Sequence, residues 1–215
     1  MIIMGKPILG LDIDDTIVSF MARFLPYLRS RGFDPPATPN DVLGYEMNRW
    51  LGCTPDQAQE LLDDFQLDMG WRLDLVAGAK PALVHLAQRW DLVTITARPR
   101  HIEAVTNALI SRHFGSAVSQ VIHVGMAGGR ALDKWQIAHA IGIHTMVEDS
   151  LLQASAAAAH GLRVVLMDKG YGWNQCADLP AGVHRVHSWG QAVRQLRRWE
   201  RSSWPTHRLP ATSGD

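Results

Sequence analysis

The sequence predicts an α/β fold, a Rossmann-like parallel sheet flanked by helices, with a small α-helical cap inserted after the first strand. Three observations carry this. From Lys80 onward, short apolar runs alternate with segments whose apolar residues recur at helical spacing, the order of a repeated strand–helix unit. The first run, from Ile8 to Leu11, is continuously apolar rather than alternating, as suits a strand buried on both faces of a parallel sheet. Between that run and Lys80 the signals are helical periodicity and turn residues, with no strand pattern.

Taken in order, the first strand ends in Asp12, Asp14, Asp15 and Thr16. Ile17, Phe20, Met21, Phe24, Leu25 and Leu28 then recur at helical spacing, which predicts a helix over 17–31 stopped by Gly32. Residues 33–40, with three prolines, form a turn-rich linker. Thr54-Pro55-Asp56-Gln57 is a helix start: Thr54 caps, Pro55 takes the first helical position and Gln57 closes a capping box. That helix runs to about residue 67, with an acidic face at Glu60, Asp63 and Asp64, and a loop from Trp71 through Gly78 closes the block. Beyond it the pattern predicts a helix over 82–90, a strand over 92–96, a helix over 100–114 and a strand over 118–124. A helix over 134–141 ended by Gly142, a strand over 145–148, a helix over 151–160 ended by Gly161 and a strand over 163–167 follow. A last helix over 188–201 has a basic outer face, and 202–215 reads as a disordered tail. The core is therefore discontinuous, residues 1–16 and 79–201, and residues 17–78 are the helical cap.

Bulk composition narrows the function. Lys+Arg and Asp+Glu both number 21, so the net charge is near zero, which argues against bulk nucleic-acid binding, a property of clustered excess cations. Any phosphate is handled by a few local groups. Cys53 and Cys176 form neither a metal pattern nor a disulfide framework, and the ten histidines show no metal-ligand spacing. Met1-Ile2-Ile3-Met4 is too short for a signal peptide and no apolar run approaches a membrane span, so the expectation is a cytoplasmic protein with no membrane partner.

The candidate site starts from crowding. Asp12, Asp14 and Asp15 at one strand end repel one another unless a cation sits among them. Ligands in open α/β sheets bind just outside the carboxyl ends of strands. Together these suggest a Mg²⁺ site with an acidic nucleophile; the competing reading is an Asp-rich turn in which Asp15 or Thr16 caps the next helix. Three later segments bear on the choice. The second strand ends in Thr96-Ala97-Arg98-Pro99, a helix opens at Asp133-Lys134-Trp135-Gln136, and the third strand of interest ends in Glu148-Asp149-Ser150. Each has a plainer reading. Thr96 suits a strand as a β-branched residue. An Asp133–Gln136 capping box explains its segment with Lys134 solvated, and Arg130 competes for the same role. Arg98 serves either a substrate phosphate or a structural ion pair. Gly125-Met126-Ala127-Gly128-Gly129 lacks the ending of a phosphate loop and reads as a flexible loop.

The order carboxylates, hydroxyl, lysine, carboxylates resembles the four-motif signature of the haloacid dehalogenase superfamily, most of whose members are Mg²⁺-dependent phosphatases. Asp12-Ile13-Asp14-Asp15-Thr16 is similar to its first motif, DxDxT; Thr96 matches the second, Lys134 the third, and Glu148-Asp149 the fourth. The resemblance implies that Asp12 is the nucleophile, forming an aspartyl-phosphate, and a metal ligand. It implies that Asp14 is the general acid and then base, offering its carbonyl to the metal. Thr96 and the neighbouring Ala97 would contact the phosphoryl oxygens, and Lys134 would supply positive charge. Asp149 would be a direct metal ligand with Glu148 or Ser150 reaching bound water; Glu148 as the direct ligand is the alternative.

Within the superfamily the chain resembles the 5'(3')-deoxyribonucleotidase group. The likeness lies in the small cap, the Thr96-Ala97-Arg98-Pro99 motif, and Gly172-Trp173-Asn174 followed by His184-Arg185-Val186-His187-Ser188-Trp189, which resemble a Trp-Asn loop, an Arg-Val strand and a final helix. It implies a substrate that is a small-molecule phosphomonoester, a nucleotide, with Phe20, eight positions after the nucleophile, in the base pocket. Trp50 and Trp71 either join that pocket or pack the cap. The departure is Asp15, where many members carry glycine. Open alternatives are a sugar phosphate, a 3'-phosphorylated nucleic-acid end (against which the neutral charge counts) and a non-catalytic binding protein of the same fold. A homodimer is left open.

Overall fold

The computed structural model describes residues 5–44, 46–127, 130–131, 133–175 and 178–201. The first apolar run forms β1 (Ile8–Leu11), with Leu9 and Leu11 wholly buried. The chain does not enter a helix at Ile17. The N–H groups of Ile17 and Val18 both bond to the Ile13 carbonyl, and Val18 makes an isolated bridge to Leu75. Ile17 and Val18 are adjacent and both fully buried, which a turn pressed between sheet and insert allows and a one-sided helix does not. α1 (Met21–Ser30) therefore starts later than the periodicity predicts, with Met21, Phe24, Leu25 and Leu28 facing inward.

The linker holds a 3₁₀ turn, Pro39–Asp41, and a short helix, α2 (Met47–Leu51), that the sequence pattern does not announce. α3 (Pro55–Met69) opens on the capping box read from the sequence: the Gln57 N–H donates to Thr54 Oγ1 at 3.2 Å and the Thr54 N–H to Gln57 Oε1 at 3.0 Å. Then come a 3₁₀ turn (Gly70–Arg72), α4 (Ala79–Leu86), β2 (Asp91–Thr96), α5 (Glu103–Phe114) and β3 (Val118–His123). Where a flexible loop was expected, two-residue strands β4 (Met126–Ala127) and β5 (Arg130–Ala131) pair as an antiparallel hairpin. α6 (Lys134–Ala140), β6 (Thr145–Glu148), α7 (Leu151–Ala159), β7 (Arg163–Met167), β8 (Val183–Val186) and α8 (Trp189–Arg201) complete the order. The tail expected over 202–215, Cys176 and the Arg130 side chain lie outside what the structure describes.

Six strands pair in parallel, in the order β3-β2-β1-β6-β7-β8, with helices on both faces, so the α/β class and the helical insert after the first strand are as expected. The chain builds outward from β1 through β2 and β3, then returns to build the other side from β6. The winding reverses between β1 and β6, and the crevice at such a point is where ligands bind. Leu11 is level with Val147, so the next residues outward, Asp12 and Glu148, leave the sheet side by side, and the Asp12 N–H still bonds to the Val147 carbonyl at 2.9 Å. Leu9 and Leu11 point to the larger core, shared with α4, α8 and the insert, while Gly10 faces the other way. A Cβ on Gly10 would lie 3.0 Å from the Met146 Cγ, so that face packs against bare backbone. Among the described residues no helix is long and apolar enough to cross a membrane.

Candidate active site

Four side chains meet outside β1 and β6. Lys134, the first residue of α6, is 4 % exposed, not solvated. Its ammonium bonds to Asp12 Oδ1 and, at 2.9 Å, to Glu148 Oε2. Burial lowers its pKa, but the Asp12 and Glu148 carboxylates outweigh burial and hold it above the ordinary lysine value. The Asp133–Gln136 capping box is absent, since the Asp133 side chain makes no cap bond, and the first amide of α6, the Lys134 N–H, donates to Gln153 Oε1 of α7 at 3.3 Å. This partner lies in another helix, where a local pattern cannot reveal it.

The donor oxygens of Asp12, Glu148 and Asp149 lie within 4.8 Å of one another. Burial pushes Asp12 up to about 7; Glu148 and Asp14 add to the rise, and Lys134 opposes it. Burial, then the charges of Asp12 and Glu148, raise Asp149 well above the usual carboxylate range. Three buried carboxylates against one ammonium leave excess negative charge, and hard oxygen donors at this spacing suit a small divalent cation. Glu148 is already engaged: besides Lys134, its Oε1 accepts the Ser150 N–H at 3.3 Å. Among the described residues nothing hydrogen-bonds the Asp149 carboxylate. Ser150, expected near metal-bound water, has its Oγ on the Gln153 N–H at 3.3 Å as the cap of α7.

Asp14 stands beside this cluster, held by Arg98. The guanidinium makes two parallel bonds, Nε to Oδ2 at 2.9 Å and Nη2 to Oδ1 at 2.7 Å. The Arg98 side chain is fully buried and that of Asp14 is 25 % exposed, so the cation lies beneath and the carboxylate toward the crevice. This pair is the structural one of the two readings open for Arg98. Thr96 Oγ1 accepts the Arg98 N–H at 3.2 Å, with Ala97 half-buried between them. His123, at the end of β3, donates from Nδ1 to the Arg98 carbonyl at 2.9 Å.

Asp15 does not face solvent. It sits at φ +55°, buried, and its carboxylate accepts from the N–H groups of Phe20 and Met21, both at 3.1 Å, and from the Tyr171 hydroxyl at 2.8 Å. It therefore serves the first amides of α1, the helix-capping role proposed as the plainer reading. Burial pushes it up to about 6, against the pull of Lys169 and these hydrogen bonds. Thr16 caps nothing; its carbonyl accepts the Trp189 Nε1–H at 3.0 Å.

Phe20 packs in the insert's aromatic cluster, 7 % exposed, its ring centroid 5.1 Å from Phe65 and 5.2 Å from Phe24. Trp50 packs against the same core, while Trp71 is 38 % exposed with the Arg72 guanidinium 4.3 Å from its ring centroid. Residues whose part in the site sequence reasoning missed are Gln153, His123, Tyr171 and Asn174. The only available signal was the Gly172-Trp173-Asn174 run, which pointed to a likeness and not to a role.

No family model matches the chain. Among curated proteins, "Putative nucleotidase BH1399" of Halalkalibacterium halodurans is 28 % identical over 195 residues, covering 90 % of this chain and 94 % of that protein. Among solved structures, a haloacid dehalogenase-like family hydrolase from Streptococcus pneumoniae superposes with a TM-score of 0.62 at 13 % identity, covering 89 % of this chain and 98 % of that one. The "putative HAD-hydrolase YfnB" of Bacillus subtilis, bound to magnesium, gives a TM-score of 0.59 at 16 % identity, covering 90 % and 100 %. The architecture is that of these solved hydrolases.

Proposed function

We propose that this chain, which has the fold of haloacid dehalogenase-like hydrolases, is a phosphatase that cleaves a nucleoside monophosphate through an aspartyl-phosphate. The observation that carries the reading is the pairing at the end of β1: Asp12 against Lys134, and Asp14 against Arg98, two residues apart in one crevice. Asp12 attacks phosphorus in line with the ester oxygen, and the P–O bond to the leaving group breaks as the P–O bond to Asp12 forms. Asp14, partly exposed at the crevice, acts once it is protonated and released from the Arg98 pair: it gives its proton to the leaving oxygen and then takes one from the water that releases phosphate. Lys134 stays charged and neutralises the phosphoryl oxygens, and the Thr96 hydroxyl, which accepts from Arg98, keeps its own proton to donate. Asp12, the Asp14 carbonyl and Asp149 would hold Mg²⁺, which supplies positive charge to the transferring phosphoryl group. Asp149 is preferred over Glu148 as the ligand because Lys134 and the Ser150 N–H already occupy Glu148. The curated relative's name supports a nucleotide over other esters.

The test is phosphate release from nucleoside monophosphates, sugar phosphates and 3'-phosphorylated oligonucleotides, each with Mg²⁺ and with EDTA. Turnover of a nucleotide that EDTA abolishes and Mg²⁺ restores is expected. Activity indifferent to chelation overturns the metal, and hydrolysis of a sugar phosphate alone overturns the substrate.

A further inference from the structure

One loop, residues 168–174 between β7 and β8, touches the turn after β1, the insert and the turn after β6. Its start is fixed by Asp168, whose Oδ1 accepts the Gly170 N–H at 2.7 Å and whose Oδ2 pairs with Arg185 at 3.0 Å. Its end is fixed by the same arginine, which donates to the Asn174 carbonyl at 2.9 Å. Between these anchors, three residues reach outward in three directions. Tyr171 donates to Asp15, next in sequence to Asp14. Gly172 lies against the insert: a Cβ there would fall 2.5 Å from the Val42 carbonyl oxygen and 2.8 Å from that of Asn40, so only a bare backbone fits. Asn174, wholly buried, donates from Nδ2 to the Asp149 carbonyl at 2.5 Å and accepts the Leu151 N–H on Oδ1 at 2.9 Å.

The Asn174 carboxamide thus bridges both sides of Ser150, in a turn where Glu148 accepts the Ser150 N–H and the Ser150 hydroxyl caps α7 by accepting the Gln153 N–H. β6 has ended at Glu148 and α7 begins at Leu151, whose N–H is one of the four a helix leaves without an internal partner. Without the bridge, a buried carbonyl and a buried N–H lose their partners, and such groups are expensive to leave unsatisfied. The turn would relax, and the Asp149 carboxylate, which no side chain or backbone group among the described residues hydrogen-bonds and whose aim is set by its backbone, would lose that aim.

We infer that Asn174 is a positioning residue for Asp149, and that its loop ties that position to the turn after β1 through Tyr171 and to the insert through Gly172. This rests on Asp149 being a metal ligand. The measurement is the midpoint of Mg²⁺ binding, the apparent dissociation constant fitted from the dependence of Tm on Mg²⁺ concentration, read in the full chain for Asn174→Ala, Tyr171→Phe and Asp149→Asn, with circular dichroism to establish folding. A ligand that binds only the native state raises Tm by an amount that grows with the logarithm of its concentration over its dissociation constant, so the onset of the rise reports affinity. Asn174→Ala should need at least tenfold more Mg²⁺ than the unaltered chain, with kcat at saturating Mg²⁺ falling less than the midpoint shifts. Tyr171→Phe, which removes one oxygen and keeps the ring, should raise the midpoint about threefold and carries the test if Asn174→Ala does not fold. Unchanged midpoints in the folded variants, with the Mg²⁺ response lost in Asp149→Asn, overturn the positioning role and leave the metal reading intact. An unimpaired response in Asp149→Asn overturns the metal reading itself.

Discussion

The two walls of the crevice are built on opposite principles. On the sheet side, charges buried at strand ends find partners far along the chain: Asp12 meets Lys134 across 122 positions, and Asp14 meets Arg98 across 84. On the insert side the partners are rings. Phe65 lies 5.0 Å from Phe24 and 5.1 Å from both Phe20 and Tyr27, centroid to centroid. Among the described residues the one cation that touches these rings, the Arg31 guanidinium 4.8 Å from the Tyr27 centroid, lies over a face and is not buried among them. The sheet wall concentrates what chemistry needs and folding resists, since burial raises Asp12, Asp15 and Asp149. The insert wall contributes apolar burial instead. The contrast is one of function traded against stability across a single crevice.

Breaking the sheet wall should therefore abolish turnover and spare the fold. Asp12→Asn keeps the shape but removes the attacking charge and a metal ligand. Phosphate release should fall by a factor of a thousand or more, over about 4 kcal/mol of barrier, while circular dichroism and the urea midpoint change little. A folded Asp12→Asn variant with substantial activity would remove the nucleophile from the account.

Breaking the insert wall should do the reverse. Phe20→Ala opens a cavity among the rings and should lower unfolding free energy by about 3–5 kcal/mol, measured by urea denaturation. Comparing kcat/KM for a nucleoside monophosphate and for p-nitrophenyl phosphate sharpens the contrast. Equal losses mean the ring only packs, whereas a nucleotide-selective loss of about tenfold or more, about 1.4 kcal/mol, would give it a base to stack on as well.

Asp15 lies at the seam, and its effect is the smallest and depends on pH. Its folded pKa of about 6 exceeds the ordinary 3.8, so the native state holds this proton more tightly than the unfolded chain. Any stability from that proton is full below pH 4 and is lost as pH rises to about 6. Asp15→Asn tolerates the left-handed backbone and keeps one carbonyl oxygen for the Phe20 N–H and the Tyr171 hydroxyl, but its NH2 cannot accept the Met21 N–H, a loss that does not vary with pH. In EDTA the variant should gain on the unaltered chain by on the order of 2–3 kcal/mol between pH 4 and 7. A difference in Tm that stays flat across that range would show that Asp15 titrates normally.

Legibility in the sequence follows the same division. Strands buried on both faces write their burial as unbroken apolar runs, and the α3 capping box is complete within four residues, so both are readable locally. The start of α1 differs from the periodicity because Ile17, Val18 and Phe20 are buried by a turn whose pairing partner, Leu75, lies at the far end of the insert. The four motifs gave the identity of the charged residues but not their pairing. Nothing near Arg98 announces Asp14, and nothing near Asp133 reveals that Gln153 accepts the Lys134 N–H. Asp15 was the hardest to read, since its hydroxyl partner, Tyr171, lies 156 positions away. The domain limits assigned to core and cap remain a proposal, because one apolar cluster runs through both.

The bond from Trp189 to the Thr16 carbonyl spans 173 positions, and it bears on how the protein emerges from the ribosome. The carboxylates of β1 are synthesised early, yet the turn that carries them is anchored by the last helix. Contacts of such separation must overcome loop-closure entropy before they reward the chain, and they slow folding. During synthesis Asp12, Asp14 and Asp15 therefore emerge as solvated, unaligned acids, and the crevice assembles only once Trp189 has cleared the exit tunnel.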